Sequence, residues 1–412
     1  MVPSTLPDGD PLPSDGSLPV AVRAEVGQRS FSVYVHVPYC ATRCGYCDFN
    51  TYTAADLGGG ASQASYAADA IAELALARTV LGDAGLPVQT VFFGGGTPTV
   101  LPVADLAAML GAVESQFGLA ADVEVTTEAN PESVDAASLR QLRDAGFTRI
   151  SFGMQSARSH VLATLDRHHT PGLAVQRVAE AKAAGFAHVS LDLIYGTPGE
   201  SDADWQASLD VAIAAEPDHI SAYSLIVEDG TRLAGQVARG ELSRPDDDML
   251  ADRYLMADAA LSGAGFGWYE VSNWAKRGGK CRHNLAYWRS FDWWGIGPGA
   301  HSHVGGVRWW NVKHPTAYAA RVRAGLSPGF ARECLDAEAQ RVERVLLGLR
   351  LSDGLPLDVL DEAGRRTAGA EVDAGLLEPA AFAAGIAALT LSGRLVADGI
   401  VRRLLGYRPV AK

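Results

Sequence analysis

Apolar residues in this chain form short runs typical of β-strands, and these runs alternate with longer Ala-rich amphipathic stretches. The run FSVYVHV at residues 31–37 predicts a strand, and residues 65–81 have helical spacing. Five further strands are predicted, each separated from the next by a helical pattern, at residues 90–93, 123–127, 149–152, 188–194 and 219–225. Such alternation predicts an α/β fold with six strand–helix units, either a partial (β/α)6 barrel or an open doubly wound sheet.

The pattern divides the chain into four parts. Residues 1–28 are rich in Pro, Asp, Gly and Ser and predict a disordered leader, because such a composition cannot offset the entropy of ordering. Residues 29–240 carry the predicted strand–helix units, and residues 241–314 form a connecting segment rich in Trp and Gly. Residues 315–412 predict a separate, mostly helical C-terminal domain with a possible small β-wing.

Composition and charge exclude several functional classes. With 48% hydrophobic and 20% charged residues in 412, the chain has the composition of an ordinary globular protein. Forty-eight acidic against 35 basic residues give a net charge of -13, so we expect no nucleic-acid partner. The sequence has neither a secretory signal nor a run long enough to cross a bilayer, which predicts a cytoplasmic protein.

Three of the five cysteines lie close together, directly after the first predicted strand. Cys40, Cys44 and Cys47 form a C-x3-C-x2-C pattern on a short loop. Three thiolates with no fourth cysteine nearby favour an iron–sulfur cluster with one iron open to another ligand. The alternative is a structural zinc site in which His36 or a later residue is the fourth ligand.

Polar residues also follow the next predicted strands. Gly94-Gly95-Gly96-Thr97-Pro98 allows close approach of a ligand to the backbone and offers free amide groups. Glu128, Gln155 and Asp192 lie at or near the ends of later strands. Each could instead cap a helix, but their joint placement at one sheet edge favours a ligand site.

These motifs together resemble the radical S-adenosylmethionine (SAM) superfamily. Within it, YVHVPYC, FFGGGTPT, TTEANPES, ISFGMQS, LDLIYGTPG and HISAYSLIVEDGT resemble the oxygen-independent coproporphyrinogen oxidase group. The resemblance covers residues 33–405 and implies the partial (β/α)6 barrel. It also implies that Cys40, Cys44 and Cys47 hold a 4Fe-4S cluster whose remaining iron is chelated by SAM. The SAM contacts it implies are Tyr34, Tyr46, Gly95, Gly96, Thr97, Glu128, Gln155, Arg167, Asp192 and Ile226.

Two features separate this chain from the decarboxylating oxidases of that group. Those enzymes carry a fourth cysteine two residues after the third, where this chain has Phe49. They also have a structured N-terminal arm over the active site, whereas the leader here is short and its composition predicts disorder.

A further motif resembles the HemW haem chaperone subfamily. Residues 283–288 read H-N-x-x-Y-W, and the resemblance implies haem binding by His283, Asn284, Tyr287 and Trp288. Imidazole is a common axial ligand of haem iron, and Tyr and Trp offer flat apolar surface. Without the resemblance, a histidine beside two aromatic residues is more often part of the core.

The sequence therefore predicts a protein that binds haem and passes it to an unknown acceptor protein, with 4Fe-4S and SAM as cofactors. The alternative is an enzyme that oxidatively decarboxylates coproporphyrinogen III to protoporphyrinogen IX. A zinc-stabilised binding module is a third possibility. Peripheral membrane docking, the oligomeric state and any covalent attachment of haem are left open by the sequence.

Overall fold

The computed structural model describes residues 8–23, 26–56, 62–82, 85, 87–167 and 170–407. Its strands are β1 Asp10–Pro11, β2 Phe31–Val37, β3 Val88–Gly95, β4 Leu119–Ala129, β5 Arg149–Gln155, β6 His188–Tyr195, β7 His219–Ser224, β8 Gly267–Glu270, β9 Asn273–Ala275, β10 Asp292–Ile296, β11 His301–Val304, β12 Val307–Asn311, β13 Gly329–Cys334, β14 Leu355–Pro356 and β15 Ile386–Ala387. Its helices are α1 Val20–Arg23, α2 Gln63–Leu81, α3 Val103–Phe117, α4 Ala136–Asp144, α5 Ser159–Thr164, α6 Leu173–Ala184, α7 Asp202–Ala214, α8 Arg232–Ala238, α9 Asp247–Gly263, α10 Arg282–Trp288, α11 Pro315–Arg323, α12 Ala337–Gly348, α13 Glu362–Asp373, α14 Pro379–Ala383, α15 Leu391–Leu395 and α16 Ala397–Leu404. None of the helices in these described ranges has the length and apolarity needed to span a bilayer.

The central strands follow one another in the sheet in the same order as in the chain. Strands β2 to β7 pair in parallel, each with the next, and helices connect them. This confirms the predicted α/β fold with six strand–helix units. Strand β10 adds a further parallel strand beside β2, which the sequence pattern did not predict. Antiparallel strands extend both sides: β11, β12, β13 and β1 beyond β10, and β9 and β8 beyond β7.

The parallel strands bury both faces, and the two faces differ in chemistry. On β2, Phe31, Val33 and Val35 are at most 2% exposed and belong to the main hydrophobic core. The alternate residues face the interior of the curved sheet and are polar or aromatic: Thr90 Oγ1 lies 2.8 Å from Ser32 Oγ. Successive side chains of a strand point to opposite faces of the sheet, so one face is apolar and the other is polar. The polar face leads to the Cys loop at the carboxyl end of β2.

The described part of the N-terminal segment is ordered, contrary to the prediction of a disordered leader; residues 1–7 and 24–25 lie outside the described residues. Strand β1 pairs with β13, with Asp10 opposite Arg332. Leu18 is 4% exposed and is part of the main core. Composition alone could not show this, because the partners of the segment lie more than 300 residues later. The N-terminal segment therefore no longer distinguishes this chain from the oxidases, which have a structured arm.

The predicted boundaries at residues 241 and 315 also differ from the packing. The segment 241–314 contributes β8 to β12 to the main sheet and is not a mere connection. Helix α11 packs against α2, and β13 pairs with β12, so residues 315–334 belong to the large unit as well. A second core with Val345, Leu355 and Leu377 begins in α12, and the small β14–β15 sheet lies beside it. The mostly helical C-terminal unit thus begins near residue 336.

One buried carboxylate joins α2 to the later part of the chain. Glu73 is 1% exposed and accepts hydrogen bonds from Tyr318 Oη at 2.6 Å and the Gly297 amide at 2.8 Å. Its other oxygen accepts from Asn311 Nδ2 at 2.7 Å. Burial raises the pKa of Glu73 to about 7, although these hydrogen bonds act in the opposite direction.

This carboxylate predicts a pH-dependent stability. The raised pKa means that the folded protein binds more protons than the unfolded chain between the ordinary value of 4.5 and about 7. The contribution of Glu73 to the free energy of unfolding should therefore fall by up to about 3 kcal/mol as pH rises through this window. Denaturant titrations at pH 5 and pH 8 should show a loss that is smaller in Glu73→Gln than in the wild type by about this amount, since Glu128 and Glu270 contribute equally in both proteins. The exposed Glu114→Gln is the control, and equal slopes in all three proteins would contradict the assignment.

Candidate functional site

The Cys loop follows β2 and is held by backbone hydrogen bonds from several elements. The Cys40 amide donates to the Tyr52 carbonyl at 3.1 Å, and the Gly45 amide donates to the Leu165 carbonyl at 3.1 Å. The Leu233 amide donates in turn to the Gly45 carbonyl at 2.9 Å. Cys40, Cys44 and Cys47 are partly exposed residues, and their loop lies at the carboxyl end of β2.

The glycine loop after β3 supports the Cys loop rather than offering free amides, which corrects the sequence-based expectation. The Gly96 amide donates to the Val37 carbonyl and the Thr97 amide to the Tyr39 carbonyl, both at 2.8 Å. A side chain at position 96 would bring its Cβ within 2.5 Å of the Tyr39 carbonyl oxygen and 3.0 Å of Cys40 Sγ. Glycine is required here because the two loops are in backbone contact.

Arg167 connects the Cys loop to the end of β5. Its Nη2 donates to the Gly153 carbonyl at 3.1 Å, and its Nη1 lies 3.6 Å from Cys44 Sγ. Its buried Nε has no hydrogen-bond partner among the described residues. Gln155, at the end of the same strand, has a φ of 64°, which is unusual for a residue other than glycine. Backbone strain and an unpaired guanidinium nitrogen are both common at ligand sites.

Two partly exposed carboxylates, Glu128 and Asp192, lie beside the glycine loop. Glu128 accepts a hydrogen bond from the Gly95 amide at 3.2 Å. Burial, together with the charge of Asp192, raises the pKa of Glu128 to about 8. Both oxygens of Asp192 lie within 3.0 Å of Ser151 Oγ, and burial raises the pKa of Asp192 as well. The positive charges of Arg149 and Arg167 also act on Asp192, so the pocket combines two acidic groups with two cations.

Four other residues that the sequence predicts as SAM contacts lie on separate elements. Tyr34 Oη is 3.0 Å from His36 Nδ1, and burial raises the pKa of Tyr34 well above its usual value. Tyr46 packs against the apolar cluster of α5, β6 and the segment after β7. Thr97 Oγ1 lies 3.9 Å from Cys40 Sγ. Ile226, just after β7, is 42% exposed.

The geometry disfavours a zinc site with His36 as a ligand. Besides the contact of Nδ1 with Tyr34, His36 Nε2 lies 3.0 Å from the Asn50 carbonyl oxygen. Both ring nitrogens are therefore engaged. Among the described residues, no three His, Cys, Asp or Glu side chains converge on a point suited to a single metal ion. Three thiolates that each bind a different iron of one cluster do not need to converge in this way.

The H-N-x-x-Y-W motif forms α10, which lies against the opposite, amino-terminal part of the strands. The His283 ring is completely buried. Its Nδ1 lies 2.7 Å from Thr90 Oγ1, and its Nε2 lies 2.9 Å from Tyr287 Oη. Burial lowers the pKa of His283 to about 3, so the ring is neutral. In this conformation neither nitrogen is free to bind an external iron.

The other two motif residues also have partners within the protein. Asn284 and Trp288 lie beside Glu270, whose carboxylate accepts a hydrogen bond from Asn273 Nδ2, and these polar neighbours moderate the effect of burial on the pKa of Glu270. Burial nevertheless raises the pKa of Glu270 to about 7. Trp288 also packs against a small cluster that includes Leu351 of the C-terminal unit. The structure therefore places the motif at the junction of the sheet and the C-terminal unit.

Comparison with known proteins decides the family. Residues 34–212 match the model of the Radical SAM superfamily. A Heme chaperone HemW of Mycobacterium tuberculosis is 54% identical over 376 residues, which cover 91% of this chain and 95% of that protein. The chain belongs to the HemW family of radical SAM proteins. A HemW of Synechocystis is 35% identical and covers 79% of both chains.

The HemW family shares its fold with a coproporphyrinogen III oxidase. The structure of HemN from Escherichia coli, a coproporphyrinogen III oxidase and radical SAM enzyme, superposes with a TM-score of 0.81 over 96% of this chain and 95% of that chain. The two sequences are 20% identical, so this likeness shows the fold alone. It confirms the predicted radical SAM barrel followed by a C-terminal unit.

Sequence reasoning missed three residues that hold the site. Thr90 contacts the motif histidine, and Glu124 accepts hydrogen bonds from the amides of Arg282 and His283 at 3.2 and 3.0 Å. Thr90 and Glu124 occupy alternate positions of β3 and β4 that point to the polar face of the sheet, and this alternation could have indicated them. Asn50 lies three residues after Cys47, and its Nδ2 donates to the carbonyls of Pro298 at 3.0 Å and Lys313 at 2.8 Å. Nothing in the sequence indicated that contact.

Asn50 should determine how firmly the Cys loop is held. Asn50→Ala would remove the Asn50 donor from the Pro298 carbonyl oxygen and leave the Lys313 carbonyl oxygen with only Tyr52 Oη at 3.2 Å, which we expect to cost about 1–3 kcal/mol of stability and to loosen the loop. After reconstitution with iron and sulfide, loss of iron to a chelator should be faster than in the wild type. Asp361→Ala removes a helix cap in the C-terminal unit at a similar cost and is the control. Equal iron loss in Asn50→Ala and the control would contradict this role.

Proposed function

We propose that this chain binds haem and transfers it to an acceptor protein, and that it carries a 4Fe-4S cluster together with SAM. One observation carries the proposal: over 91% of its length the chain is 54% identical to a protein named Heme chaperone HemW. The structure supports it with an intact H-N-x-x-Y-W motif in α10 and with a Cys loop that has Phe49 in place of a fourth cysteine.

The residues present fit a cluster and SAM. Three partly exposed cysteines share one loop, and Arg167 beside them has a buried nitrogen without a partner among the described residues. Gly96 allows the loops to approach so closely that any larger residue would meet Cys40. In this proposal Cys40, Cys44 and Cys47 each bind one iron. When bound, the cluster supplies one-electron reduction of the SAM sulfonium.

The carboxylates would select the charge of the ligand. Desolvation and the proximity of Asp192 raise the pKa of Glu128 to about 8, and desolvation raises the pKa of Asp192 as well. The ammonium and sulfonium of SAM are cations, and their presence would favour the ionised carboxylates. Arg167 is the nearby cation suited to a ligand carboxylate. The pocket therefore complements a ligand that carries both signs of charge.

Haem binding by His283 requires a local rearrangement of α10. The ring must leave Tyr287 or Thr90 before a nitrogen can bind iron. The helix is held by the C-terminal unit, since Arg289 at its end pairs with Asp353 at 2.7 Å. We propose that the haem-loaded protein has α10 displaced from the strands.

Oxidative decarboxylation of coproporphyrinogen III is the second candidate. The observation in its favour is the similarity of the whole fold to HemN, with a TM-score of 0.81. Phe49, with a side chain 57% exposed beside the Cys loop, argues against it because the oxidase pattern has cysteine there.

A transfer assay separates the two functions. The chain, reconstituted anaerobically and loaded with haem, is mixed with apomyoglobin as a model acceptor, and the absorbance of holomyoglobin is followed. In parallel, the reconstituted protein is incubated with coproporphyrinogen III, SAM and a reductant. We expect haem transfer and no protoporphyrinogen. Turnover of coproporphyrinogen without transfer would favour the oxidase.

A further inference from the structure

The segment that precedes and contains α10 is basic, although the whole chain has a net charge of -13. Between Glu270 and Asp292 no residue is acidic, and the Lys and Arg residues there are Lys276, Arg277, Lys280, Arg282 and Arg289. A local excess of positive charge attracts anionic ligands.

Three of these cations have no carboxylate partner. Arg282 pairs with Asp122 and Arg289 with Asp353. Among the described residues, Lys276, Arg277 and Lys280 form no ion pair. The Lys276 ammonium lies 4.9 Å from the centre of the Phe266 ring, and that of Lys280 lies 5.7 Å from the centre of the Tyr269 ring. These positive charges are therefore available to a ligand.

The loop that carries these cations is held firmly. The Lys276 amide donates to the Asp218 carbonyl at 2.9 Å, and a Cβ at Gly279 would lie 2.5 Å from the same oxygen. The buried Arg149 donates from Nη1 to the Gly279 carbonyl at 2.8 Å, while its Nη2 has no partner among the described residues. An anchored loop holds its charges in place, which lowers the entropy lost on binding.

We propose that Lys276, Arg277 and Lys280 form the site that binds the two propionate carboxylates of haem. This inference rests on the proposed function and names the part of the protein that recognises the polar edge of the ligand. The loop ends at Cys281, directly before α10, so it flanks His283 along the chain. Haem is an apolar disc with two carboxylates at one edge, and an exposed basic loop beside an aromatic helix complements both parts.

The test compares haem with haem dimethyl ester, which lacks the carboxylate charges, by Soret titration of the reconstituted full chain. We expect the wild type to bind haem about tenfold more tightly than the ester, because each exposed pair contributes modestly. The triple variant Lys276→Gln, Arg277→Gln and Lys280→Gln should lose that preference. The triple variant Arg140→Gln, Arg244→Gln and Arg402→Gln removes the same charge from other exposed positions and should retain it.

Each other outcome has a distinct meaning. Equal binding of haem and the ester by the wild type would overturn this inference and leave the proposed function intact. Binding of neither would contradict the proposed function itself. If the Lys276, Arg277 and Lys280 variant binds haem normally but delivers it slowly to apomyoglobin, the loop docks a protein and the inference is wrong. Circular dichroism of both variants verifies that they are folded.

Discussion

Replacing Cys44 by alanine is expected to leave the protein without a stable 4Fe-4S cluster. Its sulfur is one of only three on the loop, and Arg167 Nη1 lies 3.6 Å from it. With two thiolates left, two irons of a cubane would lack a protein ligand, and the cluster would dissociate. Iron and acid-labile sulfide, measured after anaerobic reconstitution, should fall to background, and the brown colour should be absent.

Cys334→Ala is the matched control for this change. Cys334 is an exposed cysteine at the end of β13, far along the sheet from the Cys loop. It should reconstitute like the wild type. A Cys44→Ala protein with the full iron and sulfide content would show that the cluster is held elsewhere. A colourless wild type that binds zinc stoichiometrically would revive the zinc alternative.

Replacing His283 by alanine is expected to weaken haem binding by about a hundredfold or more, because loss of even an indirect partner of a metal ligand costs about 10- to 100-fold. The substitution also leaves a cavity beside Phe92, whose ring centroid is 5.1 Å from that of His283. Stability will therefore fall as well, and a control must reproduce that loss. The measurement is a Soret titration of each reconstituted variant.

His219→Ala provides that control. His219 is 2% exposed, and its ring nitrogens lie 2.6 Å from Ser190 Oγ and 2.8 Å from Tyr269 Oη. Its environment therefore resembles that of His283, but it lies outside the H-N-x-x-Y-W motif. We expect His219→Ala to lose stability and keep haem. If both variants bind haem as the wild type does, the iron ligand is another residue.

The sequence predicted the parallel sheet well, because its strands are short apolar runs bounded by helical patterns. The run FSVYVHV corresponds to β2 without any shift of its ends. The antiparallel strands beyond β10 were missed. Strands β11, β12 and β13 are only four to six residues long. Their sequences do not alternate clearly between apolar and polar residues. The N-terminal segment was misjudged for a similar reason, since its order depends on contacts with distant strands.

The site could be predicted only in part. Motif spacing placed the cysteines and the polar residues at one sheet edge, as the structure has them. The burial of His283 could not be read from the sequence, because it depends on Thr90 from a strand almost 200 residues earlier. The same limit applies to Asn50, whose partners follow it by more than 240 residues.

The most direct test of the central claim is a haem titration of the anaerobically reconstituted wild-type chain, followed by the Soret band. We expect a saturable Soret shift with one haem per chain, and binding that persists when SAM is present. Absence of a shift in protein that contains its full complement of iron and sulfide would contradict the claim that this chain is a haem carrier.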